Sequence, residues 1–211
     1  MSAQVKQGTQ ATTFENPMGI DGFEFVEFAA PEGQAQALHD YFRMLGFTPV
    51  ARHRTRKITN YRQGDCTFLI NEDPDSFAAR FAAQHGPSAC GFAIRVNKLA
   101  EWARMQALKN GAESFDAADE LTKAVAAPVI KGIGGCMLYI VDRYDEKGTI
   151  HDPDWVWLPG VDMMPKGFGL TFIDHLTHNL YAGNMEKWAE YYERLFNFRE
   201  IRYFDIKGAK T

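Results

Sequence analysis

The sequence predicts an α+β fold built from paired βαβββ modules, with one complete domain and the start of a second. Three observations predict it. A strand pattern recurs, IDGFEFVEF from Ile20 returning as IDHLTHNLY from Ile173. Each copy is followed by an amphipathic helical stripe, Leu38, Tyr41, Phe42 and Leu45 after the first and Trp188, Tyr191, Tyr192 and Leu195 after the second, at i, i+3, i+4, i+7 spacing. Between the copies, short β-rich runs alternate with turn residues.

Taken in order, residues 1–17 are polar and read as a mobile arm. A strand from Gly22 to Ala30 leads through Pro31-Glu32-Gly33 into a helix that ends at Leu45, before Gly46. FTPVARHR, ITNYRQG and DCTFLINED then supply three strands, completing a βαβββ unit. SFAARFAAQHG is a short connecting helix. A strand from Ala89 to Val96, the helix LAEWARMQALKN closing on Gly111, and strands in AVAAPVIKGIGG and CMLYIVDRYD make residues 89–143 a second, looser unit. The Gly-, Pro- and Asp-rich residues 151–168 read as a domain linker. Residues 169–211 open a third unit with a strand over Phe172–Leu180, the second helix and a final strand REIRYFDIKG. That last strand has nothing to pair against, so the chain reads as cut short.

Composition sets outer limits on function. The 211 residues suffice for one or two domains, and a net charge of −4 gives no support for nucleic acid or an anionic membrane as partner. The polar start lacks the apolar core of a signal peptide, and no run approaches a membrane span. Cys66, Cys90 and Cys136 are odd in number and lie in apolar runs, which reads as buried thiols in the cytoplasm.

The chemically informative difference between the two copies is Gly22 against His175. Period-2 alternation puts Phe172, Asp174, Leu176, His178 and Leu180 on one face, expected to carry the helix. Ile173, His175, Thr177 and Asn179 fall on the other, half-polar face, expected to line a cavity. His175 is therefore the candidate metal ligand, weighed against an ordinary half-buried histidine, and His178 reads as structural. His39, His53, His85 and His151 read as solvated. Glu24, Glu27, Asp21 and Asp174 read as surface or structural carboxylates, and Arg52, Arg54, Arg56 and Lys57 as a solvated edge strand. One histidine is not a metal site: non-haem Fe(II) oxygenases use two histidines and a carboxylate, and these residues alone do not supply the other two.

FIDHLTHNLYAGNMEKWAEYYERLFNFREIRYFDIKG closely resembles the start of the catalytic domain of bacterial 4-hydroxyphenylpyruvate dioxygenases, and MGIDGFEFVEF, GPSACGFAIRV and DPDWVWLPG extend the resemblance along the chain. That family belongs to the vicinal-oxygen-chelate superfamily of paired βαβββ modules, similar to glyoxalase. The resemblance implies an Fe(II)-dependent oxidoreductase of tyrosine and phenylalanine catabolism, converting 4-hydroxyphenylpyruvate and O2 to homogentisate and CO2, and working as a homo-oligomer. It implies His175 as the one iron ligand in this stretch, with a second histidine and a glutamate beyond Thr211, and Thr177 beside the pocket wall. By repeat alignment Gly22, Ala89 and Tyr139 take the ligand positions in the first domain, residues 18–150, which would then be metal-free. The chain on its own would be inactive. The alternatives are a hydroxymandelate synthase-like oxygenase acting on the same substrate, and a non-catalytic paired-module protein that binds a small molecule in a metal-free cup.

Overall fold

The computed structural model describes residues 14–201 except 32, 146–148 and 152. Residues 1–13 of the arm expected over 1–17, and most of the expected last strand, lie outside the described residues. The strands are β1 (Ile20–Ala29), β2 (Thr48–His53), β3 (Ile58–Gln63), β4 (Cys66–Asn71), β5 (Ser88–Val96), β6 (Val129–Lys131), β7 (Met137–Val141) and β8 (Trp155–Trp157). The helices are α1 (Ala35–Met44), α2 (Phe77–His85), α3 (Ala100–Lys109), α4 (Ala117–Leu121) and α5 (Met185–Phe196).

Among the described residues the strands form one mixed sheet in the order β6-β7-β5-β1-β4-β3-β2-β8. In each module the first strand lies parallel to the last, Val26 opposite Phe68 and Phe92 opposite Leu138. The two first strands meet antiparallel at the centre, with Val26 opposite Phe92, so the modules share one sheet around that seam. Parallel pairing requires the crossover helices, and α1 and α3 provide them. Because both faces are covered, β7 is buried at every position and its sequence MLYIV is a continuous apolar run.

One face carries the helices. Val26, Phe92, Ile94, Leu138 and Ile140 pack there on Ala100, Ala103 and Ala107 of α3 and on Leu195 and Phe196 of α5. Phe42 of α1 packs on Phe47, Tyr61 and Ile70 beside them. The opposite face is filled by Phe25, Leu69, Met137 and Tyr139 together with Phe115, Ala124, Val125, Tyr144, Ile150 and Trp155.

Three expectations change. The second module has only β6 and β7 after α3 among the described residues. AVAAP is not a strand, in keeping with the low strand preference of alanine and proline, and its Ala124 and Val125 plug the sheet instead. Trp155–Trp157, inside the expected linker, forms β8 and pairs antiparallel with β2, Ala51 opposite Trp157 and His53 opposite Trp155. The basic run therefore does not sit on an edge strand. Finally, residues 172–180 form no strand, since among the described residues no ladder is available to take their backbone groups.

Candidate metal centre

His175 sits between Gly169 and α5, in a segment without regular structure. Its side chain is 78% exposed, and its Nδ1 lies 2.9 Å from Asp174 Oδ2, a carboxylate equally open to solvent. That contact favours the tautomer with the proton on Nδ1 and leaves the Nε2 lone pair free, the state in which imidazole binds a metal. The two expected faces do not separate: Thr177 and Asn179 line a groove as expected, but so do Leu176, His178 and Leu180, and His175 lies outside it. Ile173 is half-buried against the core, while Phe172 and Asp174 are exposed rather than under the helix. Leu176, His178 and Leu180 do turn inward. The His178 ring lies 5.6 Å from Phe92 and 6.1 Å from Tyr192 of α5, and burial holds its imidazole below the ordinary range. It is a packed structural histidine. Thr177 lines an open, mainly apolar groove of about 500 Å³ against Phe81, Phe92 and Cys136.

These residues alone do not fit an iron ion. Among the described residues no three His, Cys, Asp or Glu side chains are close enough together to hold a metal ion. A single exposed imidazole offers only one of the donors an iron site needs.

The three ligand positions inferred by repeat alignment do not converge. Gly22 lies at an irregularity of β1 with φ +91° and is exposed; Ala89, also exposed, pairs with Phe28 at the far end of the β1–β5 ladder. Tyr139 is fully buried on the opposite face. The positions stand apart because β1 and β5 run antiparallel, which puts the opening of one strand beside the end of the other. Strand register instead brings Phe25, Ala93 and Tyr139 together, with the rings of Phe25 and Tyr139 5.1 Å apart. This row holds no imidazole or carboxylate, and packed side chains cover it.

Next to it lies a polar cluster that sequence reasoning left as an undifferentiated surface or structural carboxylate. Glu27, 1% exposed, accepts hydrogen bonds from Asn71 Nδ2 and from the Tyr139 hydroxyl, both at 2.7 Å. Tyr139 Oη in turn accepts the Ala124 backbone N–H at 3.0 Å. Burial raises the Glu27 carboxyl above its ordinary range, opposed by those two donors. The signal was present as a carboxylate inside an apolar strand run.

Two histidines expected to be solvated are not. His151 is 2% exposed, bonded to Asn60 and to Thr149 Oγ1, with the rings of Trp155 and Trp157 each 5.2 Å away. Burial, with Arg62, pushes its imidazole down to about 3. His39 bridges the Tyr61 hydroxyl at 2.8 Å and Glu72 at 2.9 Å.

Residues 14–156 match the family model described as hydroxyphenylpyruvate dioxygenase, HPPD, N-terminal. The chain is 50% identical to the 4-hydroxyphenylpyruvate dioxygenase of Pseudomonas sp. strain P.J. 874, over 95% of this chain and 55% of that protein. It is 47% identical to hemolysin VllY of Vibrio vulnificus, over 93% of this chain and 55% of that one. The chain thus spans about half the length of the curated relatives it matches. Among solved structures, a xylose isomerase-like TIM barrel/4-hydroxyphenylpyruvate dioxygenase fusion protein superposes with a TM-score of 0.76 at 30% identity, covering 90% of this chain and 30% of that one. A triple mutant of 4-hydroxymandelate synthase from Streptomyces coelicolor shares the fold, with a TM-score of 0.64 at 21% identity over 84% of this chain and 52% of that one.

Proposed function

Since the chain belongs to the hydroxyphenylpyruvate dioxygenase family and matches its amino-terminal portion, we propose that it is the amino-terminal part of an Fe(II)-dependent dioxygenase making homogentisate and CO2 from 4-hydroxyphenylpyruvate and O2. In this reading residues 18–150 are a metal-free supporting domain, and residues 169–211 open the catalytic domain. His175 supplies one iron ligand, and the remaining ligands come from outside this stretch. The observation that carries the reading is the 50% identity to a 4-hydroxyphenylpyruvate dioxygenase over 95% of the chain.

The side chains support a division of labour. Phe115, Tyr144, Ile150 and Trp155 fill the face opposite the helices, which weighs against a small-molecule cup in the first domain. His175 keeps a free Nε2, with Asp174 setting the tautomer. The buried, unpaired thiols of Cys66, Cys90 and Cys136 favour a cytoplasmic setting, and no helix among the described residues is long and apolar enough to cross a membrane. The reading extends to a homo-oligomer.

Product analysis tests it. The polypeptide extended to the length of its relatives, given Fe(II), O2 and 4-hydroxyphenylpyruvate, is expected to yield homogentisate, and the 211-residue chain alone no product. Formation of 4-hydroxymandelate would assign the sister reaction. Turnover by the 211-residue chain would overturn the incomplete-site reading.

A further inference from the structure

The run Arg52, Arg54, Arg56, Lys57 has no part in the proposed reaction, and the structure gives it a different setting from a solvated edge. Arg52, Arg56 and Lys57, together with Arg43 of α1, surround a groove of about 480 Å³ between that helix and the β2–β3 hairpin. Four cationic side chains face one carboxylate, Glu72, in a protein whose net charge is −4.

The internal pairing leaves a definite surplus. Glu72 is fully engaged, Oε2 on His39 Nε2 at 2.9 Å and Oε1 on Lys57 Nζ at 3.0 Å. Arg43 is matched by Asp40 at 3.2 Å. Arg56 donates Nη1 and Nη2 to the backbone carbonyls of Lys123 and Leu121, which hold its guanidinium toward that loop, on the far side from the groove's floor, without cancelling its charge. Arg52 is exposed and makes no hydrogen bond or ion pair among the described residues. Two guanidinium charges, one of them held rigid, therefore stand unneutralised in a concave site, where field lines are focused. The floor is equally fixed, because the Tyr61 hydroxyl is held by His39 Nδ1 at 2.8 Å. Burial, and then Arg56, lower the His53 imidazole from its ordinary range against the opposing pull of Asp154 and Asp73.

We propose that this groove is a binding site for a phosphate dianion, free or carried on a small organic molecule, with Arg52 as its hydrogen-bonding partner and the carbonyl-held Arg56 adding fixed positive charge beside it. A guanidinium presents paired N–H donors that match phosphate oxygens. Two uncompensated positive charges match a dianion. The site lies on the first domain and does not depend on the proposed dioxygenase reaction.

Titration calorimetry with inorganic phosphate and with adenosine 5′-monophosphate tests the proposal, on the parent protein and on Arg52→Glu and Lys109→Glu. Lys109 is exposed on α3, so its variant controls for a general change in charge. The expected result is saturable 1:1 binding that weakens with added salt. Binding should fall at least tenfold in Arg52→Glu and stay unchanged in Lys109→Glu, with both variants melting like the parent. Tighter binding of the nucleotide than of phosphate would assign an organic phosphate, and equal binding free phosphate. Absence of saturable binding by both probes, or equal weakening in both variants, would overturn the site.

Discussion

Tyr139 serves two partners at once, donating its hydroxyl proton to Glu27 and accepting the Ala124 N–H. Tyr139→Phe keeps the ring against Phe25 but strands a buried carboxyl oxygen and a buried amide. Urea unfolding should show a loss of about 1–3 kcal/mol, the usual cost of unsatisfied buried groups. His151 makes a prediction about pH. Its folded value of about 3 lies below the ordinary 6.5, so the unfolded chain takes up a proton that the folded one refuses. Its contribution to stability is complete above pH 6.5 and is lost as pH falls toward 3. His151→Asn should therefore be less stable than the parent at pH 8 but lose less stability between pH 6.5 and 4, as read by urea unfolding at each pH. The apolar run around Glu27 was a visible signal, but the partners that give these residues their roles were not legible in the sequence. Glu27 and His151 carry the same letters as solvated residues, and their burial is decided by partners 112 and 91 positions away, Tyr139 and Asn60.

At the scale of elements, the β3–β4 turn acts as a clamp on the chain after β8. Gln63, fully buried, accepts the N–H groups of Phe168 and Leu170 on Oε1 and donates Nε2 to the Leu45 carbonyl. Gly64 N–H bonds Pro165 O at 2.8 Å, and Asp65 N–H bonds Thr171 O at 2.9 Å. A side chain at Gly64 would meet Leu170 O at 2.3 Å, on a backbone already at φ +55°. Gln63→Ala should release residues 165–171, with amide exchange at Phe168 and Leu170 accelerating while β5 and β7 stay protected. Elements with a strong period were legible. The stripe Tyr191, Tyr192, Leu195 placed α5, and β-rich runs separated by turn residues placed β2, β3 and β4. β8 was not, because three residues in a Pro- and Gly-rich stretch carry too little period, although Trp155 is buried and Val156 is not. The strand expected over 172–180 has the right alternation, but a ladder needs a neighbour that alternation cannot supply.

At the scale of the whole molecule, two modules close on one antiparallel seam, and the half-module after Gly169 packs α5 against the helix-covered face of the first domain. The succession of strands and helices over residues 20–141 was enough to read the paired-module plan, and the chemistry rests on the family resemblance. The aligned positions Gly22 and Ala89 lie apart because β1 and β5 are antiparallel. The central claim is that His175 binds iron in the extended protein. The most direct measurement is the Fe(II) content and homogentisate output of that protein carrying His175→Ala, beside His178→Ala. The account predicts that His175→Ala loses both bound iron and product at an unchanged melting temperature, because the side chain is exposed and supports no packing. His178→Ala should keep the ligand and lose stability. Full iron occupancy and undiminished homogentisate in His175→Ala would contradict the account.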